Sequence, residues 1–376
     1  MTGGAHAGES SEMEHLLREM VRLGASDLHL TAGQPPRLRI DGSLAETGER
    51  DALEAEDTLR LARSLLTAPL LRRFEDDGEL DFGFEIPGLA RFRGNCFRQR
   101  GCLAMSVRHV PAEVPPLEEL GLPSILNHFA RRPRGLVLVT GPTGSGKSTT
   151  LASMVDGINR RRRGHILTVE DPVEFVHRPR RCIVSQREVG SDTRSFAAAL
   201  GHALRQDPDV ILIGEMRDPE TIGSALTIAE TGHLVLSTLH TNSAADSVNR
   251  VIDAFPAERQ RQARHQLAAV LEGVVTQILV PRASGRGRVA AAEVLVATAA
   301  VRAVIRDQKV HQLGSLMQAG RRHGMRTLND ALARLYLEGE ITLEAALKRS
   351  SDARELLRAV GEPAPEGTGG GGEGWG

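Results

Sequence analysis

The nine residues from Gly141 to Thr149, GPTGSGKST, place three glycines, a lysine and several hydroxyls in an order suited to gripping phosphate. Gly141, Gly144 and Gly146 let backbone N–H groups converge on oxyanions. Lys147 can reach the β and γ phosphates of a nucleoside triphosphate, and the Ser148 hydroxyl is a ligand for magnesium. Pro142, Thr143, Ser145 and Thr149 complete the loop. The apolar run LVLVT precedes it and a helical pattern follows, the strand, loop and helix order that such a cradle requires. The implied cofactors are ATP and Mg2+.

Hydrolysis of a phosphoanhydride also needs carboxylates. In DVILIGEMRD the strand Val210 to Ile213 runs out into Gly214 and Glu215, and Glu215 stands where a carboxylate orients or deprotonates the attacking water. The preceding position, from which an aspartate would ordinarily face the metal, is Gly214. ILTVEDPVEF ends a second strand with Glu170 and Asp171, which can hold magnesium through its water shell; a polar strand cap is the alternative. The missing side chain at 214 then leaves room beside that shell, and the pattern leaves open which carboxylate touches the ion. In TGHLVLSTLHTNSA, His233 opens a strand and His240 follows its end. A histidine beside the γ-phosphate can hydrogen-bond it and report its loss; an ordinary surface histidine is the other reading.

These groups must be positioned by a mostly parallel α/β sheet, because GLVLVTG, HILTVED, DVILIGE and HLVLSTLH are apolar strands alternating with helical stretches. From about Ala257 the pattern is mostly helical, with a strand pair at QILVPR and GRVAAAEVL. Ahead of the loop the spacing predicts a smaller α+β domain over 12–110: a helix from Glu12 to Leu23, a strand near SDLHL, a hairpin turning at Asp41 and Gly42, a helix near Ala55 to Leu66, then the strands LDFGFEI, ARFRGNCFR and LAMSVRHV. Pro111, Pro115, Pro116 and Pro123 interrupt regular structure and place a linker at 111–122, with the ATPase domain and its C-terminal helices at 123–360. Residues 1–11 and the Pro/Gly/Glu-rich tail 361–376 lack the apolar content to order themselves.

Composition bounds the alternatives. With 376 residues, 47 basic against 48 acidic side chains and a formal charge of -1, the chain has no overall field for nucleic acid. One Tyr, one Trp and nine Phe leave little for stacking single strands. The basic runs NRRRRGH and HRPRR are short and read as solvated surface. The three cysteines form no Cys-x-x-Cys pair, against a zinc site or a disulfide framework. No apolar run is suited to crossing a bilayer and no signal pattern opens the chain, so a cytoplasmic protein is expected.

Taken in order, GPTGSGKST, TVEDPVEFVH, SQREVGSDT, LRQDPDVILIGEMRDPETI and AETGHLVLSTLHTNSAADSVNRVIDAFP, with ASDLHLTAGQPPRLRIDG near the start, resemble the PilT family, the type IV pilus retraction ATPases of the secretion-ATPase superfamily. The resemblance covers roughly residues 20 to 350. It implies a RecA-like ATPase domain behind a PAS-like N-terminal domain, a homohexamer with ATP between subunits, and contact with the membrane only through the pilus machine, by way of an inner-membrane platform protein. It also implies that two N-terminal-domain arginines, matched here to Arg93 and Arg108, act on a neighbouring subunit's phosphates. AVRAVIRD, Ala300 to Asp307, resembles the family's retraction signature with changes at Val301, Ala303, Val304 and Asp307. Its helical spacing sets Val301, Val304 and Ile305 on one face and Arg302 and Arg306 on another. Assembly and secretion motors of the superfamily usually carry a four-cysteine zinc insertion, which this chain lacks. A nucleotide-binding scaffold without turnover is the reading from another class; it predicts loss of Glu215 or of the acidic strand end, and both are present.

Overall fold

The computed structural model describes residues 12–40, 43–46, 50–110 and 114–363. The first eleven residues, the Asp41–Gly42 turn, the first three linker positions and the tail beyond 363 therefore lie outside the described residues. The chain divides into two compact units, one taking it to 113 together with 172–176, the other 114–171 and everything from 177 onward.

The first unit contains α1 (Glu12–Arg22), β1 (Asp27–Leu30), β2 (Arg37–Ile40), β3 (Ser43–Glu46), α2 (Ala55–Arg63), α3 (Ala68–Asp77), β4 (Glu79–Ile86), β5 (Ala90–Gln99) and β6 (Cys102–Val110). Its six strands form an antiparallel sheet in the order β3-β2-β1-β6-β5-β4. Helix α1 buries Met13, Leu16, Leu17 and Met20, the i, i+3, i+4, i+7 stripe of a helix lying on a core. Alternation puts Phe82 and Phe92 inside, and rings stack from Phe82 through Phe84 to Phe92 at 5.6 and 5.4 Å. Ile40 pairs with Ser43, so β2 and β3 are the expected hairpin. Helix α3 is an addition to the elements expected from sequence: it buries only Phe74, carries Pro69 in its first turn and stops at Gly78 in the left-handed region, φ 77.

The second unit contains α4 (Ile125–Ala130), β7 (Gly135–Thr140), α5 (Lys147–Arg161), β8 (Gly164–Glu170), β9 (Cys182–Glu188), α6 (Phe196–Ala203), β10 (Val210–Ile213), α7 (Pro219–Glu230), β11 (Leu234–Leu239), α8 (Ala244–Asp253), α9 (Ala257–Val270), β12 (Leu271–Pro281), β13 (Arg288–Val296) and α10 (Ala299–Arg306), followed by α11 (Leu313–Ala319), α12 (Leu328–Leu337), α13 (Leu343–Leu347) and α14 (Ala353–Val360). The sheet order is β13-β12-β7-β11-β10-β8-β9, parallel throughout except that β13 runs antiparallel to β12. Every residue of β7, β10 and β11 is buried because helices cover both faces. Leu136, Leu138, Ile211 and Ile213 pack into one apolar layer; Val137, Val139, Val210 and Leu212 pack into the layer on the other side. Strand β9 escaped sequence reading because it is an edge strand that buries only its ends, Cys182 and Glu188.

The signature-like segment forms α10, with Val301 and Ile305 buried. Arg302 turns inward. Its guanidinium donates to the carbonyls of Ala268 and Ala269 at the end of α9, at 2.8 and 2.6 Å, and pairs with Glu272 at 3.1 Å. A cation at a helix C-terminus satisfies carbonyls that have no intrahelical partner. Arg306 is exposed and makes no ion pair among the described residues. Among the described residues no helix is long and apolar enough to cross a membrane.

Burial, and secondarily the charge of Asp81, pushes the Cys96 thiol up to about 12. Native protein treated with iodoacetamide at mild alkaline pH is therefore expected to be labelled at the partly exposed Cys102 and to spare Cys96, read by peptide mass spectrometry. Rapid labelling of Cys96 would contradict the buried β5 packing.

Candidate active site

Strand β7 delivers the chain to Gly141, and the loop turns through Gly144 and Gly146 into the first turn of α5. All three glycines have positive φ, 139, 75 and 87°. Gly141 is also constrained by space: a Cβ there would lie 2.2 Å from the Gln277 main-chain oxygen and 2.7 Å from the Ser145 hydroxyl. The Lys147 side chain folds back over the loop, donating from Nζ to the carbonyls of Gly141 at 2.9 Å and Pro142 at 3.0 Å. Lys147 is only 8% exposed, and a buried ammonium needs such acceptors. Thr143 and Gly144 are exposed at the loop's tip, Ser148 and Thr149 half-buried at the start of α5. The buried Ser145 hydroxyl has no hydrogen-bond partner among the described residues. A positive helix start, converging loop amides and a buried cation fit a polyphosphate.

Glu215 follows the end of β10, and β11 lies between β10 and β7. Two strand spacings, about 10 Å, therefore separate the phosphate loop from Glu215, room for a terminal phosphate and a water. His240 leaves the end of β11 with Nε2 3.4 Å from Glu215 Oε1. On its other side Glu215 Oε1 accepts from Arg217 Nε, and that bond pushes the guanidinium's affinity for its proton further up.

Gly214 has a different reason from the one the sequence suggested. Its N–H donates to Val169 O at 2.8 Å, and a Cβ would meet Glu170 Cα at 3.2 Å and Val169 O at 3.4 Å. The β8 main chain borders this position closely, so a side chain there would require it to give by a few tenths of an ångström. Glu170 itself is 9% exposed, with Oε1 accepting from Thr168 Oγ1 at 2.6 Å and Gln186 Nε2 at 3.3 Å; Asp171 is exposed beyond it. Among the described residues no cluster of three or more His, Cys, Asp or Glu is arranged to hold a metal ion alone. The hydroxyl of Ser148 and the carboxylates of Glu170 and Asp171 are oxygen donors of the kind that suit Mg2+ together with phosphate oxygens and water.

His233 lies apart from this group. His233 sits at the start of β11, its Nδ1 against Ile228 O at 3.1 Å and Thr231 Oγ1 at 3.2 Å, so within the sheet it is at the opposite end of the strand from His240. Arg93 and Arg108 belong to the first unit. They are directly opposite each other on β5 and β6, and Arg108 Nε donates to the buried Asp27 Oδ1 at 2.7 Å.

Several positioning residues carried no sequence signal that had been used. Gln277 on β12 is 2% exposed; its Nε2 donates to Ser145 O at 2.7 Å and its Oε1 accepts from Thr150 Oγ1 at 2.9 Å. Beside it the hydroxyls of Thr140 and Thr276 meet at 2.8 Å, Ser247 Oγ reaches Thr140 at 3.3 Å, and Thr241 meets Ser247 at 2.6 Å. Glu293 on β13 accepts from the N–H of Ala244 at 2.7 Å, and burial pushes its carboxyl above the usual range. The signal for Gln277 was available: a polar amide inside the apolar strand VVTQILV must find buried partners.

With that geometry fixed, similarity to known proteins becomes informative. The model of type II/IV secretion system proteins matches residues 9–348. The type IV pilus retraction ATPase PilT of Pseudomonas aeruginosa is 48% identical over 339 residues, 90% of this chain and 98% of the relative. The type IV pilus ATPase PilU of the same organism is 44% identical over 345 residues, 92% and 90% of the two chains. Among solved structures, the pilus retraction motor PilT with bound ADP superposes with a TM-score of 0.87 at 49% identity, covering 93% of this chain and all of that one, 100%.

Gly141→Ala tests the cradle. The added methyl cannot coexist with the Gln277 carbonyl, so binding of a fluorescent ADP analogue is expected to fall below detection while far-ultraviolet circular dichroism keeps its native shape.

Proposed function

Because the chain belongs to the type II/IV secretion system protein family, we propose that it is an ATP-hydrolysing motor that powers type IV pilus retraction, the activity named for its relative PilT. The observation that carries the reading is the placement of His240 and Glu215 at the ends of β11 and β10, the first and second strands beyond β7, which feeds the Gly141–Thr149 loop. The loop binds and Glu215, in contact with His240, acts on water, which is the division of labour that phosphoryl transfer requires.

In this reading the loop amides and Lys147 hold the β and γ phosphates, Lys147 exchanging the Gly141 and Pro142 carbonyls for phosphate oxygens. Ser148 would hold Mg2+ together with Glu170 and Asp171 through water, and the ion would supply positive charge to offset that of the phosphates. Glu215 accepts the hydrogen bond that aligns the attacking water, and His240, in contact with Glu215, senses the γ-phosphate. Arg217 competes for the same carboxylate oxygen, so Glu215 works on water when that bond opens. His233 keeps to the turn before β11 and takes no part within its own chain.

Arg93 and Arg108 act in a homohexamer on the phosphates of a neighbouring subunit, supplying charge that a single chain's site lacks. An arginine brought in from another element raises turnover roughly 10³ to 10⁵-fold in other phosphoryl-transfer enzymes, which couples hydrolysis to closure. The motor works at the cytoplasmic face of the inner membrane against a platform protein, without nucleic acid. A second reading is an accessory retraction ATPase of the same family, and the 44% identity to the type IV pilus ATPase PilU is compatible with either.

Two outcomes test this. Glu215→Ala is expected to bind ATP with near wild-type affinity but hydrolyse it about 10² to 10⁴-fold more slowly, whereas Lys147→Ala should fail to bind; wild-type turnover in Glu215→Ala would refute the assignment of the base. A strain lacking the protein is expected to carry surplus pili that do not retract. Bald cells would point to assembly instead, and normal retraction lost only under load would favour the accessory role.

A further inference from the structure

Gln277 touches the phosphate loop at three places. Its main-chain oxygen fills the space a side chain at 141 would occupy, its Nε2 holds the carbonyl of Ser145 at 2.7 Å, and the same nitrogen lies 3.1 Å from where a Cβ on Gly146 would be. The far end of the amide is fixed as well, because Oε1 accepts from Thr150 Oγ1 in the first turns of α5. A buried amide has one orientation in which both ends are satisfied, and these two partners select it.

The peptide joining Ser145 to Gly146 is planar and trans, so its C=O and N–H point in opposite directions. Anchoring the Ser145 oxygen on Gln277 therefore aims the Gly146 N–H away from β12, toward the open side of the loop. That N–H donates to no acceptor among the described residues. Gly146 has φ 87°, and a glycine is free to rotate this peptide in ways other residues are not. Without the anchor, the peptide can turn its carbonyl inward, toward an anion.

We infer that Gln277 is a positioning residue for phosphate: it holds the Ser145–Gly146 peptide with its N–H presented to a nucleotide's phosphates. The inference rests on the nucleotide-site reading above and adds a determinant from a strand outside the loop motif. Its effect falls on recognition of the diphosphate group and not on the base or on water activation. KM for ATP moves and kcat moves less.

The experiment titrates ADP into full-length wild type, Gln277→Met, Gln277→Glu and Thr150→Val, with inorganic pyrophosphate as competitor and the unfolding midpoint of the ligand-free protein measured in parallel. Gln277→Met removes both contacts; it is expected to weaken ADP and pyrophosphate by the same factor, about tenfold, the scale of one hydrogen bond to a charged group. Gln277→Glu keeps volume and the Thr150 contact but sets an oxygen against the Ser145 carbonyl, so its loss should be at least as large, and it carries the test if the methionine variant does not fold. Thr150→Val leaves the Ser145 bond and should cost about twofold or less. Unchanged pyrophosphate affinity in either Gln277 variant overturns the inference, as does a loss in Thr150→Val equal to that in Gln277→Met. If wild type binds neither ADP nor pyrophosphate, the nucleotide-site reading falls first and this inference falls with it.

Discussion

A sheet covered on both faces leaves its polar groups no water, and the active-site edge of the second unit is built around that constraint. The register that sets Thr276 of mid-β12 beside Thr140 at the end of β7 brings two hydroxyls together, and Ser247 and Thr241 extend the chain of hydrogen bonds into α8 and the loop before it. A buried polar group left without a partner costs roughly 1 to 3 kcal/mol, so each link fixes the next. The strand that feeds the phosphate loop and the segment that follows His240 are therefore seated by the same network. Their spacing is a property of the hydrogen bonds between them more than of either loop.

The same logic ties in the later parts of the chain. Glu293, on the antiparallel strand β13, takes the N–H of Ala244 at the start of α8, and its remaining capacity is drawn on by the N–H of Leu328 at the start of α12. One carboxylate thus sits at the positive ends of two helices, a location that favours negative charge even where burial opposes it. Strand β12 contributes Gln277 and Thr276 at the loop. The strand pair expected at QILVPR and GRVAAAEVL joins the main sheet as β12 and β13 and forms part of the site's framework.

The sequence made legible whatever is governed by local backbone demands. Glycines at 141, 144 and 146 can be read because positive φ and close approach exclude other residues, and Glu215 because a strand end in a parallel sheet faces the crevice. The same rule, applied to strand direction, separates the two histidines: His233 precedes β11 and His240 follows it, so only the second reaches the C-terminal edge. The close neighbours of Gly214 are Val169 and Glu170 of β8, and no local pattern in the sequence around 214 reports such a contact. Gln277 was hidden for the same reason, its partners Ser145 and Thr150 lying far back in sequence. Edge strand β9 and helix α3 bury too few residues to leave a periodic trace.

The inward turn of Arg302 changes how genetics at the signature-like helix should be interpreted. Two arginines four positions apart look equivalent on paper, yet one caps the end of α9 and pairs with Glu272 while the other stands in solvent. Alleles at 302 speak for the integrity of the helix-to-strand junction that launches β12; alleles at 306 speak for whatever the exposed surface meets. A motility screen that recovered both would be sampling two separate defects, one visible as lost protein on a blot and the other only as lost movement.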